Sequence, residues 1–158
     1  MALQFYLEIP GINGDCQDAD HKNHFDVSDW NTGLHHPSNV KQGGSTATGK
    51  TTFSDMSVVT HLDNGAPDLF GKVSSGGHID KATLKCYKGA ADARVNYLNV
   101  KLEDLVVSGF NVHASGERPT AQYSFNFAKM TIEYKTQDRK NKGSAPATGS
   151  WDVSKNTP

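Results

Sequence analysis

The residues most able to do chemistry in this chain are a glycine-rich loop and a scatter of histidines. Gly44-Ser-Thr-Ala-Thr-Gly49-Lys50-Thr51 satisfies every fixed position of the G-x-x-x-x-G-K-[ST] pattern with which nucleotide hydrolases cradle phosphate. That chemistry needs a buried strand before the loop and a helix after it, so that backbone amides and the helix dipole converge on the anion. The residues before the loop, Leu34-His35-His36-Pro37-Ser38-Asn39-Val40, do not make a buried strand, and Thr51 to Val59 is β-branched and strand-like. The pattern is therefore read as a chance match. His21 and His24, with His35 and His36 further on, have ligand chemistry. A spacing of three shares a face on a helix, but this stretch enters a strand, where it separates the two side chains. They are read as turn and loop histidines. No G-x-S-x-G nucleophile elbow is present, so no cofactor, metal or catalytic group is expected.

Composition narrows the remaining classes. The 158 residues suit one domain, 1–158, and the formal net charge of −1 lacks the basic balance of a nucleic-acid binder. No run of apolar residues is long enough to span a bilayer, so no membrane insertion is expected. The opening Met-Ala-Leu-Gln-Phe-Tyr-Leu-Glu alternates apolar with polar and has no basic region, which reads as a strand and not a signal peptide. Cytoplasmic synthesis is expected, and any export would proceed without a cleaved leader. Cys86 shares a face with Ala82 and Leu84 and reads as a small buried apolar residue; Cys16 lies in a polar turn, so no disulfide is expected.

Only one stretch has a helical period. Asp63 or Asn64 is the expected cap, Pro67 and Asp68 suit the first turn, and Gly76 and Gly77 end it; Leu69, Phe70 and Val73 form the stripe expected to face the core. Everything else reads as strand or loop. Leu3, Phe5, Leu7 and Ile9 alternate with polar residues; a second strand runs from Phe25 to about Trp30, a third through Met56 and Val58, and others over 79–87, 97–107 and from Tyr123 to Tyr134. The apolar parity changes near Glu103 and Asp104, and again between Phe127 and Met130, which predicts bulges. Residues 31–52 have no apolar periodicity and are expected to form an extended loop. A mobile stretch is expected at about 138–150, before a short last strand at Trp151. Short strands with bulges, glycine-rich turns and one helix predict a mainly β fold, a small antiparallel barrel, because such a chain must hide its strand edges.

Five stretches in register resemble one family, the haemolysin-coregulated proteins (Hcp), tube subunits of the bacterial type VI secretion system. Ile12-Asn-Gly-Asp-Cys-Gln-Asp-Ala-Asp-His21 is similar to that family's first turn; Asp63, Pro67, Leu69, Gly76, His78 and Ile79 to its helix region; and Tyr97 with Leu102-Glu-Asp-Leu-Val-Val-Ser108 to its long strand. Phe125-Asn-Phe-Ala-Lys-Met130 with Tyr134 and Gln137-Asp138 resembles a further strand, and Trp151-Asp152 with Asn156 the close. Ala66 stands where serine is common in the family.

The resemblance implies a non-enzymatic structural protein: a barrel of two sheets with one short helix, assembled as a homo-hexamer whose rings stack into a secreted tube. The implied partners are contractile sheath proteins, a spike protein and effector proteins in the lumen. The alternative is a monomeric β-barrel binding module or a phage-type tail tube protein outside secretion. The 31–52 loop lacks the apolar periodicity that would pack it into its own core, so subunit contacts are expected at Leu34, His35, His36, Asn39, Val40, Lys41, Thr46, Thr48 and Lys50.

Overall fold

A computed structural model describes residues 3–37, 50–89, 94–136 and 145–158. In chain order the elements are β1 (Leu3–Glu8), β2 (Phe25–Asn31), β3 (Leu34–His35), β4 (Thr52–Phe53), β5 (Met56–His61), α1 (Ala66–Ser75), β6 (His78–Lys88), β7 (Val95–His113), β8 (Thr120–Tyr134) and β9 (Ala147–Asp152). The large sheet runs β5-β2-β1-β6-β7-β8-β9, every pair antiparallel, and β5 also pairs with β8 from Met56 opposite Phe125 to His61 opposite Thr120. That last pairing closes six strands into the expected barrel. It also divides one edge of β8: the first half bonds to β5, and the second half, from Lys129 to Tyr134, bonds to β9.

Alternation fills the barrel. Leu7, Phe25, Met56, Val58, Leu84, Tyr123 and Phe125 are wholly buried, each at the inward position of its strand. Cys86 is buried on β6 with Ala82 and Leu84, and burial pushes its thiol up to about 12. Cys16 is buried as well, and both thiols are free.

The predicted parity changes are present, without a slip in pairing at that point. On β7 the buried positions pass from Val100 and Leu102 to Leu105 and Val107; on β8 they pass from Phe125 and Phe127 to Met130. Register is unbroken through this region, from Leu102 opposite Met130 to Leu105 opposite Phe127. Both strands change face together, and Asp104 takes up the kink at φ 50°, in the left-handed region that aspartate tolerates better than most residues. The register shifts in these strands lie elsewhere, between Val107 and Gly109 on β7 and between Cys86 and Tyr87 on β6.

The helix differs from expectation in two respects. Its N-cap is Gly65, with no side-chain cap; Asp63 instead turns the chain into it, its Oδ1 accepting the Gly65 N–H at 3.1 Å. Glycine is required there because any Cβ would run into the Phe25 ring. Pro67 and Asp68 occupy the first turn, and Gly76 ends the helix at φ 67°. Leu69 is fully buried and Val73 packs on the core, but Phe70 is 56% exposed, so it does not belong to the core stripe. Residues i and i+4 share a helix face, whereas i+1 lies about 100° away. Phe70 turns instead toward Phe110, edge-to-face at 5.8 Å between ring centroids.

Two expected loops also contain strand. The stem of the 31–52 segment forms a two-stranded sheet, Leu34 opposite Phe53 and His35 opposite Thr52, and Asn31 completes β2. The strand expected at Trp151 begins at Ala147, so 147–150 is not loop; residues 138–144 lie outside the described residues.

Candidate assembly surfaces

Of the residues expected at subunit contacts, Leu34 and His35 form β3, His36 Nδ1 lies 2.8 Å from Thr51 Oγ1, and Lys50 is exposed. Asn39, Val40, Lys41, Thr46 and Thr48 lie outside the described residues, as do Gly44 and Gly49 of the phosphate-loop pattern. Thr51 leads directly into the strand β4, and the next helix starts at Ala66, so no helix dipole points back at Lys50.

The two longest strands overhang the barrel. Beyond Met130, Ile132 and Tyr134 continue the core-facing side of β8 but are exposed, because the opposite wall of the barrel has ended. The β3–β4 stem stands beside this overhang, with Phe53 edge-to-face on Phe127 at 6.1 Å and Leu34 59% exposed. Leu34, Phe53, Met130, Ile132 and Trp151 bound an open, mainly apolar groove of about 300 Å³. At the other end of the same ribbon, Phe110 and Val112 continue past the barrel and meet Phe70 and Pro67 of α1 in a shallow apolar patch. Exposed apolar surface of this kind is the ordinary mark of an interaction face. The outer edge of β9 is a further feature: among the described strands β9 pairs with β8 alone, and only its last residue, Asp152, is bridged on that edge, by Thr157.

The first histidines do something the sequence did not suggest. His21 is 4% exposed; its Nδ1 lies 3.1 Å from Asp18 Oδ1, its Nε2 2.8 Å from the Tyr87 hydroxyl, and its ring is stacked on Tyr6 at 4.2 Å. Arg94 binds both Asp18 oxygens and donates to Tyr6 Oη at 3.0 Å and Gln4 Oε1 at 3.2 Å. That guanidinium, helped by His21, holds the Asp18 carboxyl well below the usual carboxylate range, while burial raises the Tyr6 and Tyr87 hydroxyls. Next to it, His24 Nε2 lies 3.3 Å from Glu8 Oε2, which takes Lys85 Nζ at 2.6 Å. Contrary to the expected separation, the His21 and His24 rings touch at 5.3 Å, because Asp18 to His24 is a turn and not yet a strand.

Carboxylate, imidazole and hydroxyl here stand in the order of an acid–base relay, but both imidazole nitrogens are used internally and the ring is enclosed. The arrangement is a clasp: it fastens the loop after β1, and the start of β7, onto β1 and β6. The Asp18 and Arg94 partners stand 76 residues apart, which is why neither residue carried a local signal. Among the described residues no group of three His, Cys, Asp or Glu side chains is arranged to hold a metal.

The sequence model of the family described as "Type VI secretion system effector, Hcp" matches residues 6–134. Protein hcp1 of Pseudomonas aeruginosa is 28% identical over 159 aligned residues, covering 99% of this chain and 98% of that protein. Among solved structures, Hcp1 from Salmonella typhimurium superposes with a TM-score of 0.83 at 26% identity, covering 99% of each chain. A type VI secretion system effector from Yersinia pestis gives 0.76 at 27% identity, covering 94% of this chain and 99% of that one. A structure described as a type six secretion system protein gives 0.90 at 22% identity over 99% of each, a likeness of fold.

Proposed function

The chain belongs to the Hcp family of type VI secretion system effectors, and from that premise we propose that it is a tube subunit whose copies close into hexameric rings. Stacked rings form the inner tube, sheathed by contractile proteins, tipped by a spike protein, and able to carry effectors in the lumen. The role is structural. The phosphate-loop pattern runs into a strand, and the relay-like set of side chains around His21 is closed on itself, which supports a protein without catalytic work. The N-terminal strand β1 lies in the barrel wall between β2 and β6, so export with that strand uncleaved keeps the barrel shut.

The observation that carries the assembly reading is the overhanging β7–β8 ribbon, which leaves core-facing apolar positions bare at both ends. Stable interfaces bury upward of about 1,200 Å² in total, and a ring gives each copy two such contacts. Size-exclusion chromatography with light scattering and negative-stain imaging of the purified full chain is the test. Six times the single-chain mass with ring images is expected; a monomer across the working concentration range would instead favour a free-standing binding module.

A further inference from the structure

We propose that Asn13 and Asn64 are sites of spontaneous deamidation that the folded chain holds shut and unfolding exposes. Asn13-Gly14 and Asn64-Gly65 are the two Asn-Gly steps of the sequence. In such a step the glycine backbone nitrogen, unhindered by a side chain, loses its proton and attacks the asparagine Cγ. A C–N bond forms, the bond from Cγ to the side-chain nitrogen breaks, and ammonia leaves. Water then opens the cyclic imide at either carbonyl, giving aspartate or isoaspartate. No oxidant or other co-reactant enters.

In the fold both asparagines are exposed and both glycines are buried. The Gly14 N–H donates to the Asn23 carbonyl at 2.8 Å, and the Gly65 N–H to Asp63 Oδ1 at 3.1 Å. Each attacking nitrogen is therefore committed to an acceptor. The backbone has no room to swing either: a Cβ on Gly14 would run into the His24 carbonyl, and one on Gly65 into the Phe25 ring and the Asn13 carbonyl. Attack requires the step to open first, and a buried, bonded amide opens only at a cost in free energy.

The two steps also abut. Gly65 packs against the Asn13 carbonyl, and crossed bonds tie the segments together, Asp15 N–H to Asp63 Oδ2 and Asn64 N–H to Asp15 Oδ2, each at 3.4 Å. An isoaspartate at either position adds a methylene to the main chain within this seam, and a new carboxylate comes to stand near Asp15 and Asp63. A chain kept unfolded for long therefore refolds with the seam impaired. Neither site's chemistry depends on ring formation.

The test ages the full chain at mildly alkaline pH, in buffer and in guanidinium chloride, and follows both sites by peptide mass spectrometry with an isoaspartate assay. Deamidation in buffer should be slower by about tenfold or more at both sites, since it proceeds only through the open fraction. Asn13→Gln and Asn64→Gln replace exposed side chains with one that forms its imide far more slowly, so each should remove the product at its own position in denaturant. Chain aged in denaturant and then refolded should melt about 4 °C or more below chain refolded at once. Equal rates in buffer and denaturant overturn the proposal. Protection at one step alone, or an unchanged Tm after extensive modification, overturns the shared seam. Protection that disappears on dilution while the chain stays folded assigns it to contacts between copies and overturns the fold as its source.

Discussion

Asp18 shows how one residue can fasten segments distant in the chain, since it holds both His21 and Arg94. Its carboxylate is held below its ordinary value by the Arg94 guanidinium and by His21, so the folded chain binds its proton less readily than the unfolded chain does. Stability from this pairing is therefore fully present above the ordinary carboxylate range, starts to fall as pH drops through that range, and is gone only below the depressed value of the folded chain. Glu8, lowered by Lys85, acts in the same direction. Asp18→Asn should cost about 2 kcal/mol at pH 7, or roughly 4–8 °C in Tm for a chain of this size. The gap between variant and parent should shrink markedly at pH 3. Thermal melts at the two pH values check this, and an equal gap at both would mean the stabilisation does not come from ionised Asp18. In the sequence Asp18, Asp20 and His21 read as residues of a polar turn. Only the pairing of β1 with β6, and of β6 with β7, brings these strands together around them.

At the scale of elements, α1 joins the core to the exposed patch. Leu69 is buried against the sheet while Phe70, one residue on, leans toward Phe110 at the overhanging end of β7. Leu69→Ala should cost about 3 kcal/mol from lost burial and the cavity left behind, whereas Phe70→Ala should cost under about 1 kcal/mol. Paired thermal unfolding decides it; equal losses would mean the helix is rotated from the orientation described. The existence of this helix, its first-turn Pro67 and its end at Gly76 were legible in the sequence, because turn and cap chemistry is local. Which of three neighbouring apolar residues faces inward was not, since that depends on the angle at which the helix meets β7.

For the whole molecule, the decisive question is how much assembly depends on the 31–52 segment. Its stem is held by the β3–β4 pairing and by the contact of His36 with Thr51. Deleting residues 37–48 and joining the ends with a short glycine linker should leave the barrel's melting temperature within about 3 °C of the parent, since every core residue described above lies outside the deleted stretch. Rings or stacks should be weakened, because residues without apolar periodicity repay the cost of ordering only by contacts outside their own core. Light scattering of the variant is the measurement; rings and tubes as stable as the parent's would show that assembly rests on the barrel and its overhangs alone.

The sequence alone determined the long strands, the helix, both parity changes and the family resemblance, all of which rest on residue order: period two, cap and turn residues, motifs in register. It led equally to the rejection of the phosphate loop, since the β-branched run after Thr51 is itself a local property. What the tertiary structure decided is everything that depends on where the barrel stops. Ile132 reads as an inward-facing strand residue, whereas Val112 lies beyond the strand expected over 97–107; both sit at inward positions, yet they are exposed because β7 and β8 outrun the strands opposite them. Strand length relative to a neighbour is a property of the closed sheet, fixed by the β5 pairing that divides the edge of β8, and no window of sequence contains both partners.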